Sequence, residues 1–371
     1  MKGPRWQLLR EWPPGYGGIE RVAHELAMVW QQPVYSFDAQ GDARSNSESA
    51  SDPLPVPYAR WRLPCLQIGR LMLPLPGRRL MELLLSKQPL HGHLPSPGVL
   101  LVLLAARLLQ PRRWVSAHWH AFLEGGSGVQ GMLFSLYQHL AIRVLPLLSE
   151  VITTSPVLAD ALVTVCGERV RVRVLPCCLD AGFESEALAL PLRSHAQNGA
   201  HPVALRVLFI GRLDSYKRLD WLLTALAQLQ APWRLDVVGD GPRRVLFEQQ
   251  AQGAPVHFHG RLDEAGKLQR LADADVLVLP SDRSNEAFGI VQLEAMAAAV
   301  PALAFARPRS GMGWVGALPG LVWSQQPQDL AAVLERLALD GSLRAHLRLQ
   351  ARERFCTWFS RPVWHRQLRD L

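Results

Sequence analysis

What the chain has little of narrows its class first. Between Pro53 and Leu123 there is a single acid, Glu82, against nine basic residues: Arg60, Arg62, Arg70, Arg78, Arg79, Lys87, Arg107, Arg112 and Arg113. The five cysteines (65, 166, 177, 178 and 356) form no CxxC pair and no zinc spacing, so neither a disulfide framework nor a zinc ribbon is expected. No apolar run reaches the roughly 18–20 residues that a membrane helix needs. The best candidate, VLLVLLAARLLQP, is stopped by Arg107 and Pro111. The opening MKGPRWQLLREWPPG lacks the apolar centre and small-residue cleavage site of a signal peptide. These absences together predict a reduced, metal-free, cytoplasmic protein.

What is present is a globular composition. Of 371 residues 49% are apolar and 19% charged, with a net charge of +8, enough chain for two domains that each bury a core. The basic stretch Arg60–Arg113 mixes arginine with Trp, Leu and Met. It suits a surface resting on anionic lipid at the inner face of a membrane, and equally a solvated face over a leucine-rich core. No nucleic-acid motif accompanies the charge, so no nucleic-acid partner is expected.

Strand-like and helix-like segments alternate. RWQLLRE, PVYSF, the segment before His91, RWVSAHWH and EVITTS read as strands, and IERVAHELAMVW as a helix with Ile19, Val22, Ala23, Leu26 and Ala27 on one face. EALALPLRSHAQNGAHPVAL (186–205) has no steady period and reads as a linker. Beyond it LRVLFIGRL, WRLDVVGDGP, VHFHGRL and DVLVLPS read as strands, each ending in a polar or glycine-bearing loop. Such alternation predicts an α/β protein with parallel sheets, whose ligands bind outside the carboxyl ends of the strands.

SNEAFGIVQLEAMAAAVP carries the most chemistry. Glu286 falls in the strand-to-helix loop, and the helix is expected to begin near Phe288 or Gly289, with Glu294 in its second turn. On one helix the two acids would stand about 80° apart and roughly 12 Å along the axis, too far to share a proton. They read as two separate acceptors for hydroxyl groups. Between them the N–H groups of Phe288, Gly289 and Ile290 suit a diphosphate. Diphosphate in the middle with hydroxyl-bearing rings on both sides describes a nucleotide-sugar. GRLDSYKRLD supplies Arg212 and Lys217 to neutralise it, and VVGDGP supplies Gly239 and Gly241. VVGDGP lacks the third glycine and the distant acid of a dinucleotide fingerprint, which disfavours hydride transfer.

YGGIERVAHELA, FIGRLDSYKR, VVGDGP and NEAFGIVQLEAMA, in this order, resemble the retaining glycosyltransferases of family 4, and the resemblance covers nearly the whole chain. It implies a GT-B fold, two Rossmann-like doubly wound parallel-sheet domains facing across a cleft. The first would span 1–185 and bind the acceptor, with 186–205 as linker. The second would span 206–354 and bind the nucleotide-sugar, and 355–371 would cross back to the first. The resemblance also implies that Arg212 and Lys217 neutralise the diphosphate, that Glu286 holds the sugar hydroxyls and that Glu294 holds the ribose. The backbone of Gly17 and Gly18 would face the diphosphate. The active-site histidine aligns with His120, with His118 as its rival; His91 and His93 match the family's H-x-H.

Two positions depart from the family pattern. Arg218 stands where glycine commonly follows the lysine, and Ala299 stands where "AMACG-P" has glycine. Neither change removes a functional group, and altered loop geometry is expected at most. Asp273 and Asp275 in LADADVLVL have the spacing of a metal-binding DxD but begin a strand, so they read as structural. The expected donor is a UDP- or GDP-linked sugar, with no further cofactor, and the acceptor a saccharide or lipid-linked glycan. An epimerase or hydrolase of the same fold, or a non-catalytic membrane-associated subunit, is the alternative.

Overall fold

Runs of consecutive buried residues mark the central strands: LHGHL (90–94), VSAHW (115–119) and VLVL (276–279) are buried at every position. That is the pattern of parallel strands covered on both faces. The computed structural model describes residues 3–11, 17–38, 56–69, 71–124, 128–192, 204–323 and 326–371. The chain divides into one unit of Met1–Pro176 with Leu368–Leu371 and a second of Cys177–Gln367. Most of the expected linker (193–203), residues 12–16 of the WPPGYGG loop, and Arg70 lie outside the described residues.

The first unit runs β1 (Trp6–Leu9), α1 (Gly18–Trp30), β2 (Val34–Asp38), β3 (Arg60–Ile68), β4 (Leu71–Pro74), α2 (Arg78–Leu85) and β5 (Leu90–Leu94). It continues with α3 (Pro97–Leu109), β6 (Val115–Trp119), α4 (Val129–Val144), β7 (Glu150–Thr153), α5 (Pro156–Cys166) and β8 (Val172–Val174). The sheet order is β4-β3-β2-β1-β5-β6-β7-β8, parallel except for the β3–β4 pair. Ser96 and Ser155 start α3 and α5, each accepting a backbone N–H three residues on and each followed by proline. Gly92, between the histidines of β5, faces α3, where a Cβ would lie 2.7 Å from Leu103. The histidines at 91 and 93 therefore point to the opposite face.

The basic stretch contains strands that its sequence did not announce. β3 joins the sheet parallel to β2, and β4 returns antiparallel at the edge. Part of the positive charge is structural. Arg113 is buried and donates to the carbonyls of Leu83 (2.6 Å) and Gln88 (2.7 Å). Arg107 donates to Leu147 O at 3.0 Å, and the Arg79 guanidinium lies 3.7 Å over the Trp61 ring. Arg78 by contrast is 92% exposed.

The second unit runs α6 (Ala181–Ala189), β9 (Leu205–Ile210), α7 (Leu219–Leu226), β10 (Trp233–Val238), α8 (Arg244–Gln250), β11 (Val256–Gly260) and α9 (Glu264–Asp273). There follow β12 (Val276–Leu279), α10 (Val291–Ala297), β13 (Ala302–Ala304), α11 (Met312–Val315), α12 (Leu330–Leu339), α13 (Gly341–Trp358) and α14 (Arg361–Arg369). The sheet order is β11-β10-β9-β12-β13, all parallel. Residues 177–185, expected in the first domain, and 186–192, expected in the linker, belong here. Arg361 donates to Leu179 O (2.7 Å) and its backbone N–H to Glu184 (3.0 Å), while Arg352 donates to Leu188 O (2.8 Å). These tethers lie more than 160 residues away in sequence, so no local pattern could announce them. The expected C-terminal helix over 355–371 is the end of α13 followed by α14, and only Leu368–Leu371 group with the first unit.

The alanine at 299 keeps the glycine geometry. α10 ends with Ala299 N–H donating to Met296 O (3.0 Å) and Val300 N–H to Ala295 O (2.8 Å), with Ala299 at φ +57°, a left-handed helix cap that glycine adopts without steric cost. Ala299→Gly should therefore raise unfolding stability by about 0.5–1 kcal/mol. Urea denaturation checks it, and a variant less stable than the parent contradicts the strain argument.

Candidate functional site

Three loops at the carboxyl ends of β9, β10 and β12 form one layer on the second unit. Gly211 N–H donates to Val238 O (2.9 Å), Leu213 N–H to Asp240 O (3.0 Å) and Arg243 N–H to Leu213 O (3.1 Å), so the first two loops are zipped together. This closeness explains the glycines of VVGDGP. A Cβ on Gly239 would land on the carbonyl of Gly211, one on Gly241 on the carbonyl of Leu213, and Gly239 sits at φ +134°. In this structure both glycines shape the Arg212–Lys217 loop through the backbone.

On that loop the two cations part company. Arg212 points outward, 68% exposed, with Asp214 at 3.8 Å. Lys217 turns inward at the end of a short turn (Ser215–Lys217) and its ammonium meets the Glu286 carboxylate. Burial works against the Lys217 charge, but Glu286 together with Tyr216 and Asp214 outweighs it and holds the ammonium above its ordinary value. Arg218, the residue in place of glycine, takes φ +51°. Its guanidinium bonds Asp220 (2.8 Å) and Asp282 (3.0 Å) and lies 4.0 Å over Trp221. Those contacts compensate for the left-handed backbone and tie the first loop to the third. Asp282 N–H adds a bond to Tyr216 O at 3.0 Å.

The segment between β13 and α11 holds Glu286, on the third loop, from behind. Ser310 Oγ donates to Glu286 O (2.7 Å) and Gly311 N–H to Ala287 O (2.7 Å). Gly289 has φ +67°, and a Cβ there would lie 2.5 Å from Leu279. The helix itself begins at Val291, after the expected Phe288 or Gly289, which makes Glu294 its fourth residue and part of the first turn. Glu294 is 2% exposed and meets Lys267 Nζ of α9 at 2.9 Å. Each glutamate thus has its own lysine. Neither Lys267 nor Ser310 was singled out from the sequence. Lys267 could have been, because it falls beside Leu268 and Leu271 on the buried stripe of α9.

Asp275 precedes β12 and is a structural residue: it binds Arg348 Nη2 (2.9 Å) and accepts from Arg206 N–H (3.0 Å). Asp273 closes α9.

In the first unit Gly17 and Gly18 open α1 as expected. The Glu20 carboxylate folds back so closely that a Cβ on Gly17 would strike its Oε2. Burial raises the Glu20 pKa, while its own backbone N–H lowers it. A phosphate approaching Gly17 would meet this carboxylate first.

The four histidines gather on one face of the sheet, with His93 paired to His118 across β5 and β6. His118 and His120 stack with centroids 4.2 Å apart, and His93 and His118 with centroids 5.7 Å apart. His91 Nδ1 contacts Ser116 Oγ (2.9 Å), which also accepts from Arg5 (3.0 Å); Arg5 in turn pairs with Glu150 at 2.7 Å inside the unit. His120 ends the row, 7% exposed, whereas His118 is fully buried. Burial lowers the pKa of all four rings, that of His93 to about 3.

A nitrogen from each of His91, His93 and His118 lies within 4.8 Å of the others, but the set does not fit a resident cation. Both His93 nitrogens are already engaged, and the Arg5 guanidinium, bonded to the same Ser116 hydroxyl as His91, sets a positive charge beside the group. Among the described residues neither ring nitrogen of His118 has a hydrogen-bond partner, an arrangement that costs about 1–3 kcal/mol. His118→Phe is accordingly expected to leave the thermal midpoint unchanged or higher and turnover near the parent's. A large loss of turnover in a folded His118→Phe protein would make His118 the functional ring.

Residues 16–183 match the family model described as Glycosyltransferase Family 4, and residues 204–340 the one described as Glycosyl transferases group 1. The GDP-mannose-dependent alpha-(1-6)-phosphatidylinositol dimannoside mannosyltransferase of Mycobacterium tuberculosis is 35% identical over 111 residues, 29% of each chain. D-rhamnosyltransferase WbpZ of Pseudomonas aeruginosa is 30% identical over 169 residues, 44% of this chain and 43% of that one. The matches thus span less than half the length of these curated relatives. The Anabaena protein HepE, solved in complex with UDP, has a TM-score of 0.72 at 17% identity, over 99% of this chain and 98% of that one. Sucrose-phosphate synthase from Thermosynechococcus elongatus gives 0.70 at 20% identity, with the same two coverages. The structural likeness shows the fold, and with both family models matched in order, this chain belongs to the family-4 glycosyltransferases of GT-B fold.

Proposed function

We propose that the protein transfers a sugar, with retention of anomeric configuration, from a UDP- or GDP-linked donor to a saccharide or lipid-linked acceptor. The observation that carries this reading is the Lys217–Glu286 pair. It sets a cation for a departing diphosphate beside a carboxylate able to accept sugar hydroxyls, on loops at the carboxyl ends of adjacent strands β9 and β12. As the sugar leaves, negative charge grows on the diphosphate. Lys217 and Arg212, with the backbone at Phe288–Ile290, would stabilise it in place. Arg212 is unencumbered enough to swing onto a phosphate, and Lys217 is already fixed. Glu294 would receive the ribose hydroxyls and His120 a sugar hydroxyl.

The relatives' names support both donor classes: GDP-mannose in the mannosyltransferase, UDP and UDP-glucose in the complexes of HepE. A phosphatidylinositol dimannoside acceptor is named for the first of these, which supports a lipid-linked class here. No helix among the described residues is long and apolar enough to cross a membrane. Arg78 is exposed, as are Leu66, Ile68, Met81 and Leu85 of the same basic stretch, a combination suited to lying on anionic lipid. Flotation with phosphatidylserine vesicles should carry the protein upward, and Arg78→Glu should weaken this.

The deciding experiment is a panel of nucleotide-sugars. A donor that raises the thermal midpoint should also be turned over once an acceptor is added, with the product's anomeric configuration read by NMR. No stabilisation by any UDP- or GDP-sugar would refute the reading. An inverted anomeric product would refute retention alone.

A further inference from the structure

Three buried side chains form a hydrogen-bond line whose proton positions are determined from one end. Gln7 of β1 donates through Nε2 to Ala23 O of α1 (3.1 Å). A carbonyl only accepts, so this bond orients the amide and presents Oε1 to His93. His93 Nε2 lies 2.9 Å from that oxygen, and His93 Nδ1 lies 2.9 Å from His120 Nε2. An amide oxygen cannot donate, so the His93 proton must sit on Nε2. The ring is neutral, because burial holds it down to about 3, and its Nδ1 therefore carries a lone pair. That lone pair accepts a hydrogen bond from His120, whose Nε2 must be the protonated nitrogen. Burial keeps the His120 ring neutral as well, so its remaining nitrogen, Nδ1, is an acceptor.

We propose that Gln7 and His93 are positioning residues that lock His120 in its Nε2–H tautomer, so that His120 offers substrate an acceptor, Nδ1, and takes a hydrogen bond from a sugar hydroxyl. The proposal rests on the glycosyltransfer reading only for the identity of the substrate; the tautomer is a property of the protein alone. Gln7 is fully buried, and in the second strand-to-strand step His93 spans β5 to the end of β6, so the line passes through the rigid middle of the sheet. The arrangement also separates the two rival histidines, since His118 stacks on the line without entering it.

The test is a long-range 1H–15N spectrum of histidine-labelled protein without ligand, assigned with single His→Gln variants. Expected is the Nε2–H pattern for both His93 and His120 at pH 7.5. A His120 protonated on Nδ1 overturns the proposal whatever the enzyme's activity. The near-isosteric Gln7→Glu gives a second reading. A carboxylate there that accepts from Nε2–H of the neutral ring leaves both tautomers in place, and turnover should then stay near the parent's; a loss of about tenfold with unchanged tautomers would overturn the assignment. A carboxylate that draws a second proton onto the ring makes His93 Nδ1 a donor and moves the His120 proton to Nδ1. Turnover is then expected to fall by at least about tenfold, with donor KM changed far less. Inverted tautomers at wild-type turnover would overturn the assignment of Nδ1 as the substrate contact. A protein with the expected tautomers that turns over no nucleotide-sugar would instead refute the proposed function and leave the proton line standing.

Discussion

Lys217→Ala should lower kcat/KM for the donor by about 10²–10³-fold, the loss typical of removing one preorganised group that meets developing charge. The ammonium is buried and already paired with Glu286, so little reorganisation separates the resting arrangement from one that meets a diphosphate. Removing it also strips Glu286 of its counter-charge. Glu286 is 19% exposed, so solvent relieves part of that penalty, and a moderate fall in stability is expected alongside the kinetic loss. The double variant Lys217→Met/Glu286→Gln distinguishes the two effects. It removes both charges, should regain stability, and should remain inactive. Steady-state kinetics with urea denaturation provides both readouts. Turnover within about threefold of the parent in Lys217→Ala would remove the ammonium from the mechanism.

Acidification should weaken the first unit well before its carboxylates titrate. For each buried histidine the folded ring resists protonation, while the unfolded ring takes a proton near pH 6.5. The stability these rings contribute is fully present above that value and is lost as pH falls below it. His93, held to about 3, alone implies about 2–3 kcal/mol lost between pH 7.5 and 4.5. His91, His118 and His120 act in the same direction. The Arg5 charge adds to the effect at His91 and His118, and the raised Glu20 opposes it only where a carboxylate titrates. Urea midpoints followed from pH 7.5 to 4.5 should fall steeply, and His93→Gln, which cannot take the charge, should flatten the profile. A midpoint constant over that range would show that the rings are hydrated in solution.

Several departures from the sequence reading share one cause. β3 and β4 alternate poorly, because arginine, proline and leucine succeed one another along the stretch, and their strand character comes from pairing, β3 with β2 and β4 with β3. The end of the first unit was misplaced because α6 is claimed by arginines of α13 and α14, far along the chain. The residues at 218 and 299 stand where the family pattern has glycine. Both residues adopt the left-handed backbone that glycine would, and hydrogen bonds around them hold it.

The sequence by itself determined the α/β alternation, the loops carrying Arg212, Lys217 and Glu286, the helix carrying Glu294, and family membership. These depend on local periodicity and on glycines needed where backbones nearly touch, as at Gly239 and Gly241. Only the tertiary structure decided which lysine answers which glutamate, that Glu20 covers Gly17, and that His93 joins Gln7 to His120. Those are relations between side chains on different strands and helices. Their energies depend on distance and burial, quantities that exist only once the sheets have formed.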